Sequence, residues 1–242
     1  MNQNLQEQSL RSDNQSLLTI VNEFCQVLSF YGYSVTPYSS WSLRKLDETS
    51  LEKKTQIKNY LKTWMELISP EPHQLPGAPN VDQEINFAKN ALKKLDLKID
   101  ENFWKTLQRE HVIEIYGAEM VQLYRSFNFF KYCGYSLLDI VLNEWFMLWE
   151  RSQKVVEAMH QEVLQVMTES APYHKVNIPR HVIRETLDTG DTQIFVPRAC
   201  HVEFQYIGAL RTSVLAKPSA FIVTSTGAVV ARGSEAMNFG FV

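Results

Sequence analysis

Cysteine is scarce in this chain: Cys25, Cys133 and Cys200 are the only three in 242 residues. An odd, widely spaced set makes no disulfide framework and points to a reducing compartment. Glycine is thin as well, at nine residues. None of the nine falls in a Gly-x-Gly-x-x-Gly or Walker loop, so no phosphate cradle is expected. There is no Cys-x-x-Cys, no His-x3-His and no Gly-x-Ser-x-Gly. Their absence removes the usual zinc spacing and the strand-to-helix nucleophile elbow. No apolar run reaches the roughly 18 residues that a membrane-spanning helix needs. The richest stretch, Leu137 to Trp149, is broken by Asp139, Asn143 and Glu144. The opening MNQNLQEQSLRSDNQ lacks the apolar stretch of a secretory leader. A cytoplasmic protein without a transmembrane segment is the expectation.

Strong charge of one sign is also missing. Net charge is −3, with a pI near 6.1. Residues 1–170 hold 17 basic and 22 acidic side chains, and residues 171–242 hold 7 and 5. Neither balance suits a phosphate backbone or an anionic membrane, so no nucleic-acid partner is expected. Lys53, Lys54, Lys58 and Lys62 form a small basic cluster bordered by Glu48, Glu52 and Glu66, which reads as a solvated helix face.

What the chain does have is apolar periodicity. Residues 1–15 read as a disordered N-terminus and residues 16–170 as a helical region. Leu17, Ile20, Val21, Phe24, Val27, Leu28 and Tyr31 predict a helix over about 16–31. Tyr33 to Thr49 reads as an irregular connection. Ile57, Leu61, Trp64 and Leu67 or Ile68 predict a helix over 51–68. The four prolines of SPEPHQLPGAPN make 69–80 a loop, and helix resumes over 81–95. Ile113, Tyr116, Met120, Leu123, Phe127 and Phe130 extend a helix capped by Asp100 over 101–131. Leu138, Leu142, Trp145, Trp149, Val156, Met159, Val163 and Met167 predict one long helix over 137–168.

From about residue 171 the period shortens to two. Val202, Phe204 and Tyr206 alternate with Glu203 and Gln205, as in a strand with one buried face. Thr192 to Val196 and residues 175–185 are further strand candidates. Ala220–Thr224 and Ala228–Arg232 flank Ser225-Thr226-Gly227 and read as a hairpin. The fold class expected is α+β: a mainly helical N-terminal portion, with residues 171–242 forming a small antiparallel sheet packed on the helices as one domain.

Candidate chemistry is sparse. His174, His181, Cys200 and His201 are the densest possible metal ligands. Adjacent strand positions send Cys200 and His201 to opposite faces, however, and no metal or cofactor site is expected. Asp188-Thr189-Gly190-Asp191 reads as a turn. Cys25 and Cys133 lie among apolar neighbours and read as core.

The compositional anomaly is aromatic. Ten of the 28 aromatic residues lie between Tyr116 and Trp149. Consecutive pairs such as Phe129-Phe130 and Trp145-Phe146 cannot all face one stripe of a helix. Phe129, Phe130, Tyr135, Trp145, Phe146 and Trp149 are therefore candidate anchors for a partner protein or a second copy of the chain. The function this implies is non-enzymatic: an adaptor, chaperone-like factor or accessory subunit of a larger assembly, for example a secretion-system adaptor. A catalytic set would have to be assembled from residues distant in sequence. Amphipathic helices, an aromatic-rich junction and a small antiparallel sheet are also similar in outline to PAS-like or GAF-like modules. That resemblance of layout, without a matched motif, implies a small-molecule sensor or regulatory domain.

Overall fold

The computed structural model describes residues 3–68, 80–117, 120–144, 147–168, 178, 180–185, 187–188, 194–195, 198–213, 217–232 and 235. The helices are α1 (Gln3–Phe30), α2 (Ser40–Glu48), α3 (Leu51–Ile68), α4 (Val81–Lys94), α5 (Leu137–Leu142) and α6 (Gln153–Thr168). The strands are β1 (Val112–Gly117), β2 (Gln122–Arg125), β3 (Trp149–Glu150), β4 (His181–Glu185), β5 (Leu187–Asp188), β6 (Ile194–Phe195), β7 (Arg198–Leu210) and β8 (Ala220–Arg232). Short 3-10 segments span Glu101–Thr106 and Phe127–Lys131. The fold is α+β. The chain forms two compact units, Met1–Ala78 with Tyr135–Leu148, and Pro79–Gly134 with Trp149–Val242.

The first unit is helical. Helix α1 begins at Gln3 rather than near residue 16, so much of the expected disordered terminus is helix. Its face of Leu17, Val21, Phe24 and Leu28 is buried, as the spacing requires. On α3 the buried stripe is Ile57, Leu61, Trp64 and Ile68. Lys54 lies on the same stripe and is fully buried, so the lysine cluster is not a uniformly solvated face. The stretch expected to be irregular contains α2. Ser39 caps it, its side chain accepting from Ser42 N, while Ser42 returns a bond to the Ser39 backbone. Such a box satisfies two donors that a helix start otherwise leaves open.

A second capping box starts α5. Asp139 Oδ2 accepts from Ser136 N (2.8 Å) and Ser136 Oγ (2.7 Å), and Asp139 N donates to Ser136 Oγ (3.1 Å). Asp139 Oδ1 also accepts from Ser39 Oγ at 2.7 Å, and Leu137 N donates to Thr36 O at 2.8 Å. These bonds fasten α5 to the approach of α2. The α-helix expected over 137–168 ends at Asn143, whose backbone is extended, and among the described residues α-helix resumes at Gln153. The Pro-rich stretch lies outside the described residues, apart from Asn80, which caps α4 by accepting from Gln83 N.

The second unit is built on a six-stranded antiparallel sheet in the order β2-β1-β8-β7-β4-β3, with β5 and β6 as a separate pair. Its strands begin at Val112, not near 171, and the helix expected over 101–131 is not formed. Every residue of the run Val112-Ile113-Glu114-Ile115-Tyr116 is buried. A β-branched and aromatic run buried on both faces belongs in an interior strand, and β1 lies between β2 and β8. The three-and-four spacing continued past it only because it crossed a tight reversal. Gly117 N donates to Val121 O at 2.9 Å, and Met120 takes a positive φ of 62°.

The expected hairpin over 220–232 is a correction of the same kind. Ser225-Thr226-Gly227 is not a turn: β8 runs unbroken through it, paired with Phe204, Glu203 and Val202 of β7. Gly227 serves close approach instead, because a Cβ there would stand 3.3 Å from His201 O. The alternation expected on β7 is present: Val202 and Phe204 are buried and Glu203 is exposed. The Asp188–Asp191 turn lies outside the described residues, except that Asp188 ends β5.

Candidate functional site

A cavity in the second unit gathers side chains from β1, β2, β4, β7 and β8, from the 3-10 segment after β2, and from the segment around β3. It measures about 60 Å³, taken as the space open to the centre of a water molecule. Period two builds its walls. Val112 and Glu114 alternate inward on β1, and Cys200, Val202 and Phe204 on β7. Phe129, Tyr132 and Trp149 supply aromatic surface, and Arg125 and Arg151 supply positive charge.

The polar part centres on Glu114, 8% exposed. Its Oε1 accepts from Arg125 Nε at 2.6 Å, Gln122 Nε2 at 3.0 Å and Tyr116 Oη at 3.1 Å. Arg125 Nη2 lies 2.6 Å from the same oxygen, and Gln122 Nε2 also donates to Tyr116 Oη at 2.8 Å. The register explains the meeting, since Glu114 on β1 stands opposite Arg125 on β2, an arrangement in which opposite charges attract across a ladder. The Arg125 guanidinium lies over the Phe129 ring, 4.1 Å from its centre, a favourable cation–π distance.

Arg125 is held but not saturated. Its Nη1 is buried with no hydrogen-bond partner among the described residues. Burial works against the Arg125 charge, but Glu114 and Tyr116 outweigh it, so the proton is held more tightly than usual. Burial, with Glu114 adding to it, raises the Tyr116 phenol. Arg151 is lowered by burial, with Arg125 also acting against its charge while Tyr116 and Glu114 support it. On the cavity wall, burial pushes the Cys200 thiol up to about 12, and Glu185 adds to the shift. A thiol so far above neutrality is not a thiolate nucleophile.

A second buried carboxylate lies outside the cavity lining. Glu185, 1% exposed, ends β4 and accepts from Gly134 N at 2.7 Å. Burial pushes it from the ordinary 4.5 up to about 8, against smaller opposing effects from the Gly134 amide, Arg198 and Cys133. The native state therefore keeps this proton to higher pH than the unfolded chain does. Stability is expected to fall as pH rises from about 4.5 to about 8, by at most about 1.4 kcal/mol per pH unit, and then to level off. Urea unfolding of wild type and Glu185→Gln across this range checks it. The variant should lose that slope, and an unchanged slope would contradict the assignment.

The six aromatic candidates separate. Trp149 is buried and Phe129 half-buried. Both line the cavity, with ring centres 5.4 Å apart and planes at 83°. Phe130 is half-buried, edge-on to Phe129 at 5.7 Å. Tyr135 belongs to the first unit, buried, with its hydroxyl donating to Leu148 O at 2.8 Å. Trp145 and Phe146 lie outside the described residues. Of the metal candidates, His181 and Cys200 are buried and His201 half-buried, while His174 lies outside the described residues. Among the described residues no three His, Cys, Asp or Glu side chains gather to hold a metal ion, and no helix is long and apolar enough to cross a membrane.

Sequence reading missed Glu114, Gln122, Arg125 and Arg151. A helical reading of 101–131 puts residues 114 and 125 eleven apart on one helix, whereas strand register sets them face to face. No known protein family, curated protein or solved structure matches this chain.

Proposed function

We propose that the second unit is a small-molecule-binding, regulatory module and that the protein responds to a ligand without transforming it. The observation that carries this reading is the unsatisfied Arg125 Nη1 on a cavity with aromatic walls. A buried donor left without a partner costs about 1–3 kcal/mol, and ligand sites combine apolar walls with a few convergent polar groups. The cavity's polar chemistry favours binding over catalysis, since Glu114 and Arg125 are committed to each other. The strand order also supports the reading. The two early strands β2 and β1 lie on one side of the long pair β8-β7, and β4 and β3 on the other, a layout similar in outline to PAS-like modules. With Phe129 and Trp149 lining a cavity, a ligand accounts for them better than the partner protein of an adaptor or accessory subunit does.

The test is a thermal-shift screen of the full chain against a metabolite panel, repeated on Val202→Phe. Val202 lines the cavity, so a phenyl ring there fills the space, at an overpacking cost of about 1–3 kcal/mol. Wild type is expected to be stabilised by some member of the panel and the folded variant to lose that response. A response that survives in the variant, or a wild type stabilised by no compound, would contradict the proposal.

A further inference from the structure

We infer that the cavity's ligand is a small, uncharged primary carboxamide. Its carbonyl accepts from Arg125 Nη1, its amide nitrogen donates to Glu114 Oε2, and its short apolar tail lies among Phe129, Trp149 and Phe204. The inference rests on the reading of the second unit as a ligand-binding module and adds the chemical class. Arg125 and Glu114 both line the cavity, and each meets the other with only part of its side chain. Arg125 spends the Nε and Nη2 edge on Glu114 Oε1, at 2.6 Å each, which leaves the buried Nη1 without an acceptor among the described residues. Gln122 and Tyr116 also donate to Oε1, and among the described residues no donor reaches Oε2. One open donor and one open acceptor therefore belong to a single ion pair, which Gln122 and Tyr116 hold in place before a ligand arrives.

The pair sets the ligand's charge. Arg125 and Glu114 already neutralise each other at 2.6 Å. A carboxylate that reached Nη1 would set its second oxygen against the Glu114 carboxylate, and an ammonium on Oε2 would face the guanidinium. Like charges brought together in a desolvated site are costly. A carboxamide carries an acceptor oxygen and an N–H donor on neighbouring atoms with no net charge, so it answers both open groups without adding to either charge. Arg151, also on the wall, is already engaged, so the ligand's polar contacts fall to the Arg125–Glu114 pair. Val112, Ile183 and Val202 add apolar wall to that of the aromatic rings, which suits a hydrocarbon tail. Volume sets the length. A water-sized sphere takes about 10–15 Å³ in this measure, so about 60 Å³ holds on the order of five, room for a carboxamide and a few carbons.

The test uses the full chain in a chloride buffer at neutral pH, titrated by calorimetry and thermal shift with propionamide, propionate and butanone, three molecules of nearly one shape. Propionamide is expected to bind and to raise Tm with dose. Butanone keeps the carbonyl and replaces the NH2 with a methyl group, so it forfeits the bond to Glu114. It should bind about tenfold more weakly or worse, the size of one lost hydrogen bond to a charged group. Propionate, which meets the Glu114 charge, should bind more weakly still. Arg125→Lys keeps a cation beside Glu114 and loses the fork, and should weaken propionamide by about tenfold or more. If that variant does not fold, the order of the three molecules on wild type decides. Butanone matching propionamide would overturn the inference, because Glu114 would then play no part in recognition. Propionate matching or exceeding propionamide would overturn it in favour of an anion and leave the ligand-binding reading standing. Silence from all three overturns the inference. The ligand-binding reading falls with it only if the metabolite panel is silent too.

Discussion

Arg125→Ala is expected to destabilise the second unit by about 3–5 kcal/mol, the usual cost of stranding one partner of a buried ion pair. The side chains of Arg125 and Glu114 are each 11% exposed. Removing the guanidinium leaves Glu114 with a phenol and an amide as its remaining donors and no cation on β2. The loss should appear as a lowered urea midpoint with an unchanged denaturant slope. The pair's net worth is a separate matter, because bringing two charges out of water offsets much of their attraction. Glu114→Gln combined with Arg125→Met should therefore retain most of the stability that Arg125→Ala loses, and still lose the wild type's response to the metabolite panel. A double variant as unstable as the single one would show that β2 depends on the arginine for packing rather than for charge.

Phe221→Ala should cost a similar amount, about 3–5 kcal/mol, by a different route. Phe221 is 1% exposed on β8, a strand with neighbours on both sides. It pairs with Tyr116 on one side and Ala209 on the other, and its ring stacks on Tyr116 at 5.4 Å, 19° from parallel. Truncation forfeits the burial and leaves a void that a sheet ladder cannot collapse to fill. Because Tyr116 also donates to Glu114, the void should loosen the polar cluster, and ligand affinity should fall with stability. Chemical denaturation measures the first effect and calorimetry the second. A loss under about 1 kcal/mol would mean that β8 is not the centre of this core.

Where one periodicity held to the end of an element, the sequence was legible. Leu17 to Leu28, and Ile57 to Ile68, mark faces buried by helices of the expected kind, and Val202 and Phe204 mark the inner face of a strand. Reading failed where apolar spacing ran across a break. From Ile113 to Phe130 the recurrence of three and four bridges two strands, a reversal at Met120 and a 3-10 segment. The β-branched run Val112–Tyr116 was the signal that strand was the better reading. At Ser225-Thr226-Gly227 a turn-like triplet lies inside a continuous strand, because glycine there answers to a neighbouring backbone. The site was half legible: Phe129 and Trp149 stood out by composition. Glu114 and Arg125 meet only through strand register, which neither spacing nor composition carries.

The proposal is tested most directly by following the Trp149 indole N–H and the backbone amides of Val112, Val202 and Gly227 by NMR in the labelled full chain, titrated with the most stabilising compound of the metabolite panel. A ligand in the cavity should shift these resonances together along one saturating curve. The same curve should be absent in Val202→Phe. Saturable binding that leaves all four unmoved, with changes confined to resonances of the first unit, would contradict the cavity as the site.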